Sequence, residues 1–248
     1  MLRKLLRYEF KVLLRIMPAL YLAILVLAAV TGVNSLIAGD GADWSMMEGL
    51  ETALGIMFVA LFVVDLILVI LRFRDNFLKD EGYLMFTLPV TEWELTASKA
   101  IAGFCSILLT AAVGMLALFV YGFIADFQDM LYQLSRLPRF WNEHIDRVGS
   151  VQAVIEVVGV LVFVFQQLCL IYASMTVSQI APRFRGLAGF GVYLAVMIVA
   201  GRLSWYFVDI TFFPSLWDLG LFLLLISIFA ALCFWSTGWL LKRTLNLE

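Results

Sequence analysis

Apolar residues come in long blocks along this chain, and the polar residues between them mark the turns. Blocks of 18 or more apolar residues are long enough to cross a bilayer as helices. They recur at about 16–38, 52–71, 97–124, 151–177, 187–207 and 219–241. The pattern predicts an all-α, polytopic membrane protein with six transmembrane helices in a single domain, 1–248. Ahead of the first block, Arg3, Lys4, Arg7, Lys11 and Arg15 fall on one side of a helical wheel, and Leu2, Leu5, Leu6, Val12, Leu13 and Ile16 on the other. Residues 1–15 therefore read as an amphipathic interfacial helix with a basic face. Glu9 breaks that pattern, because it lies in the middle of the apolar face. The first block is too long for a signal-peptide core and is expected to be a retained span.

The stretch 72–96 is the most strongly punctuated. Thr91 and Glu94 have the spacing of a capping box, with Val90 and Leu95 placed for a hydrophobic staple. Pro89 disfavours helix immediately before it. The preceding helix is expected to stop near Asp80-Glu81-Gly82. Between these marks lie Tyr83, Leu84, Met85 and Phe86, four large apolar side chains in a segment expected outside the membrane. They either lie in the lipid interface or dock on a soluble partner. In the third block Ala102, Ser106, Thr110 and Gly114 recur every four residues, a stripe of small residues that lets another helix come close. The polar interval from Ala125 to Ser150 is expected to form a short amphipathic piece on the outer surface. The aromatic interval 202–218 either re-enters the membrane or lies at its outer interface.

Composition agrees with the blocks: 63% of the 248 residues are hydrophobic and 15% charged, and the mean hydropathy is +0.99. Soluble domains average about 45–50% apolar. Charge placement adds the orientation. With both termini cytoplasmic, Arg136, Arg139, Arg147 and Arg202 alone among the 17 Lys and Arg fall outside, as the positive-inside rule requires. The loop 39–51 carries Asp40, Asp43, Glu48 and Glu51 and no basic residue, which suits an external position.

Chemistry is sparse. The chain has no P-loop, no nucleophile-elbow motif and no zinc-protease motif. It is not expected to be an enzyme or to hold a metal or cofactor. Its one histidine, His144, reads as a surface residue, and Cys105, Cys169 and Cys233 as apolar filler inside spans. Polar residues inside or near the blocks are the candidates for function: Asp65, Lys99, Gln166, Gln167, Glu156 and Arg202. Counted from the span ends, Asp65 and Lys99 have matching depths. They are expected to form a buried pair or share a polar cluster, unless Asp65 faces an aqueous cleft. Gln166 and Gln167 either line a path or join helices. Glu9 is expected to be tied to Arg72, Arg74 or Lys79, unless a kinked or frayed helix turns it to water.

The wording KLLRYEFK near the N-terminus, KDEGYLMFTLPVT between the second and third blocks, and LLKRTLNLE at the end resembles the permease subunits of ABC-2-type exporters of Gram-positive bacteria. The likeness extends to the whole chain by layout. It implies a permease in the bacterial plasma membrane that pairs with a second permease chain as a homo- or heterodimer. Separate ABC ATPase subunits, which hold the ATP and Mg, would drive it. It also implies that Lys79, Asp80, Glu81, Gly82, Tyr83, Leu84, Met85, Phe86, Thr87, Leu88 and Pro89 form the coupling segment that seats in the ATPase. The expected activity is export of a peptide, lipid or drug-like substrate by alternating access. The expected partners are the ATPase, a second permease chain and membrane lipids, with no nucleic acid. The rival reading is a non-transporting sensor or assembly protein that binds a soluble partner through 79–89. A secondary transporter is disfavoured, since neither repeats nor paired interrupted helices are found.

Overall fold

The computed structural model describes residues 2–38, 44–78, 91–180, 185–208 and 216–244. The expected coupling segment 79–89, with its four apolar side chains, lies outside the described residues, as does 209–215 in the aromatic interval. The described chain is helical: α1 (Leu2–Ala38), α2 (Trp44–Leu78), α3 (Glu92–Ala125), α4 (Phe127–Val148), α5 (Ser150–Val177), α6 (Arg185–Val208) and α7 (Leu216–Thr244), with a 3-10 turn at Ser178–Ile180. Five stretches are long and apolar enough to cross a membrane: Arg3–Ile37, Glu48–Asp75, Trp93–Ala125, Ser150–Val177 and Leu216–Leu241. A shorter apolar stretch, Gly186–Arg202, covers most of the fifth block.

Two boundaries differ from the expected ones. The interfacial helix is not a separate element, because residues 2–38 form one helix with Pro18 inside it. The reason is visible in its buried positions: Glu9, Leu13, Met17, Tyr21, Ile24, Ala28 and Thr31 follow one another at steps of three or four. One continuous stripe of contacts runs through the region where a break was expected. At the other end of the loop 39–51, α2 already begins at Trp44, so Glu48 and Glu51 belong to a helix and not to a loop. Its far end is described as far as Leu78, beyond the apolar block and toward the expected stop near Asp80-Glu81-Gly82.

The start of α3 forms as expected. Thr91 Oγ1 accepts from the Glu94 backbone N–H at 3.3 Å, and the Leu95 N–H reaches the Thr91 carbonyl at 3.2 Å. The first bond satisfies a donor that a helix N-terminus leaves open, and the second is the first regular bond of the helix. The polar interval 125–150 forms α4, a 22-residue amphipathic helix with no buried residue. Asp126 caps it, its Oδ1 accepting from the Asp129 N–H at 2.9 Å. Gly149, with φ of 88°, separates it from α5 in a conformation that side chains other than hydrogen disfavour.

The chain divides into two compact units: residues 7–69 with 105–144, and residues 1–6, 70–104 and 145–248. In the unit built on 7–69 and 105–144, α1, α2 and α3 pack around Met17, Tyr21, Ile24, Ala28, Leu54, Leu61 and Ala117. In the other, α5 packs along α7 and α6 around Cys169, Leu170, Ala173 and Cys233. Large apolar side chains such as Leu22, Val26 and Val30 on α1, or Leu224, Ile228 and Leu232 on α7, remain exposed on the opposite faces. Acyl chains can cover such faces, and water would not tolerate so many.

Candidate functional site

The polar residues inside the helices fall into two groups, one in each unit. In the unit containing α1, the group centres on Asp65. The small-residue stripe of α3 is buried, and its two hydroxyl members meet the carboxylate. Ser106 Oγ donates to Asp65 Oδ1 at 2.6 Å, and Thr110 Oγ1 donates to Oδ2 at 2.9 Å. Thr110 thereby uses its hydrogen, so Tyr21 of α1, 2.9 Å from Thr110 Oγ1, donates to it. Asp65 is 1% exposed and Thr110 0%. Each carboxylate oxygen receives one donor, which offsets part of the cost of removing the group from water. One hydrogen-bonded chain thus joins α1, α3 and α2.

The register of α2 against α3 shows why Asp65 meets the hydroxyls of Ser106 and Thr110. Tyr121 donates to Glu51 at 2.7 Å. A Cβ added at Gly114 would fall 2.5 Å from Phe58 Cε2. With the Asp65 bonds, these contacts fix one antiparallel alignment along the two helices. Lys99 lies seven residues before Ser106 on α3, about 10 Å along the axis. Asp65 meets the two hydroxyls, and the aqueous-cleft alternative fails on its burial.

In the other unit Lys99 is also buried, at 4% exposure. Its backbone carbonyl accepts from the Tyr172 hydroxyl at 3.4 Å, and the Phe73 ring stacks on Tyr172 with centroids 4.2 Å apart and planes 9° from parallel. Gln166 and Gln167 act together: Gln167 Nε2 donates to Gln166 Oε1 at 3.2 Å, and Tyr193 of α6 donates to Gln167 Oε1 at 3.2 Å. The pair links α5 to α6, the joining role of the two considered. Trp93, in the first turn of α3, lies over Gly238 of α7, where a Cβ would fall 2.6 Å from Cζ3 of the indole. Glu9 is 5% exposed, so the alternative that turned it to water is overturned. The burial stripe on α1 explains its misfit on the wheel: that face meets protein, not lipid.

Tyr21, Ser106 and Thr110 as partners of Asp65, Tyr193 as partner of Gln167 and Gly238 as the seat of Trp93 were not foreseen. A signal existed for two of them, because Ser106 and Thr110 stand in a stripe already read as a helix contact. Among the described residues no group of three or more His, Cys, Asp or Glu could hold a metal ion. What the Asp65 cluster displays is hydrogen bonding across helices. Searches against family models, curated proteins and solved structures find no match to this chain.

Proposed function

We propose that this chain is the permease subunit of an ABC-2-type exporter. It would cross the bacterial plasma membrane six times with both termini cytoplasmic, work as a dimer and be driven by separate ATPase subunits. The observation that carries the reading is the stretch KDEGYLMFTLPVT, followed directly by the capped start of α3 at Thr91. A short segment held between two long membrane helices is a suitable handle for a soluble motor. The helices on either side of it support this use: α2 and α3 are 35 and 34 residues long, about 50 Å each, against a hydrocarbon core of about 30 Å. Both therefore extend well past the core. The sixth span would be α6, a 24-residue helix whose apolar stretch Gly186–Arg202 is shorter than the other five. Substrate would move by alternating access of the two permease chains.

Gentle detergent purification from the native host should bring down an ATPase that carries a P-loop. Tyr83→Ala and Phe86→Ala should each weaken that association about ten- to hundredfold, because a fully buried aromatic anchor contributes roughly 1.5–3 kcal/mol. The variants should remain inserted and folded. If both retain the ATPase and support full substrate-coupled ATP hydrolysis, the docking role is wrong. Recovery of a different soluble protein and no ATPase would favour the sensor or assembly reading.

A further inference from the structure

We propose that α4 lies flat in the lipid interface, on the membrane face where α3 ends and α5 begins, and is held there by its apolar side and not by charge. This rests on the multi-pass architecture alone and is independent of whether an ATPase is the partner. Each end of α4 is one residue from a membrane-length helix, with Asp126 between it and α3 and Gly149 between it and α5. With six charged residues along it, α4 is not one of the apolar helices able to cross, so both its ends belong to the face where α3 ends. A 22-residue helix is about 33 Å long, and tethered at both ends to one face it must run along it.

Geometry at the two ends agrees. The Met130 sulfur lies 3.2 Å from where a Gly122 Cβ would be. The two residues are eight apart, about 12 Å of rise in a straight helix, so the axis bends at Asp126. At the other end, Gly149 leaves the helical region altogether. The end of α3 carries Phe119, Tyr121 and Phe123, the aromatic residues that favour a membrane boundary.

The faces of α4 then identify the occupant. Phe127, Leu131, Leu134, Pro138, Trp141 and Ile145 share one arc of the wheel. None is buried, and Phe127, Leu131 and Trp141 are 49%, 49% and 44% exposed. Arg136, Arg139, Glu143 and Arg147 lie on the opposite arc, with Tyr132 and Phe140 among them. Three arginines balance Asp129, Glu143 and Asp146, so the helix offers anionic headgroups no net attraction. An apolar arc with a Trp, a neutral polar side and two membrane-anchored ends fits insertion into the acyl boundary driven by apolar area.

Spin labels test this on the full chain reconstituted in phosphatidylcholine vesicles, in a Cys105→Ala background, since Cys169 and Cys233 are buried. At 131, 134 and 141, oxygen should relax the label several-fold more than a water-soluble nickel chelate, with the reverse at 136, 139 and 143. Adding phosphatidylglycerol should leave the pattern unchanged. A second measurement needs no cysteine: brominated lipid should quench the fluorescence that Trp141→Phe removes. Nickel reaching both faces would place α4 in water and overturn the proposal. Neither reagent reaching 131, 134 and 141, with spin–spin broadening between chains, would assign the face to a second copy and overturn it equally. A pattern that appears only with anionic lipid would refute the charge-independent mode.

Discussion

Thr110→Val is expected to destabilise the chain by about 2 kcal/mol or more, well above the roughly 0.6 kcal/mol average for an interhelical hydrogen bond in a membrane. The Thr110 hydroxyl serves two partners, accepting from Tyr21 and donating to Asp65. Its loss leaves a buried phenol and a buried carboxylate oxygen unsatisfied, and each such orphan costs roughly 1–3 kcal/mol. The measurement is an unfolding titration in mixed detergent, comparing the variant with the parent chain. A double-mutant cycle sharpens it: Tyr21→Phe should cost clearly less in the Thr110→Val background than alone, because its partner is already gone. Additive losses would mean that the hydroxyl chain is not an energetic unit.

Gly238→Val should be the most damaging single change in the unit that holds α5 and α7. Three atoms of the Trp93 indole, Cζ3, Cε3 and Cη2, lie 2.6, 2.8 and 2.9 Å from the position of a Cβ at 238. A rigid bicyclic ring cannot yield by rotating one bond, as Phe58 over Gly114 could. The ring also packs near Phe234, with centroids 5.9 Å apart, which leaves it little room to retreat. Overpacking of this kind costs about 1–3 kcal/mol. Thermal unfolding in detergent should show the loss, and Trp93→Ala should restore part of it by removing the obstructing ring. If Gly238→Val unfolds like the parent, the close seat of Trp93 on α7 is wrong.

Much of this architecture could be read from the chain because lipid imposes simple rules. An apolar block long enough to span has to be a helix, since nothing in the bilayer satisfies its backbone otherwise. The α3 cap at Thr91 and the amphipathic α4 were legible for local reasons, a capping residue in one case and a period in the other. Register was not. It depends on how residues such as Gly114 and Phe58 fit together, which no count from a span end reveals. The unity of α1 was hidden for a related reason. Its basic face and its apolar run looked like two elements, whereas the buried stripe from Glu9 to Thr31 crosses both. The stretch 79–89, read as a coupling segment from its wording, lies outside the described residues.

Pro18 and Tyr21 sit one turn apart near the middle of α1, and together they have a mechanical consequence. The proline removes the backbone bond that Leu14 would otherwise accept, so stiffness is lowest there. The Tyr21 bond to Thr110 clamps the helix immediately beyond it. A soft joint next to a clamp makes a hinge whose far side is fixed. Flexure of about 10° at Pro18 swings the arm from Leu2, about 24 Å long, through about 4 Å at its tip. Because Glu9, Leu13 and Met17 in the arm are buried, the arm bends only together with what it packs on, while the Asp65 cluster stays intact.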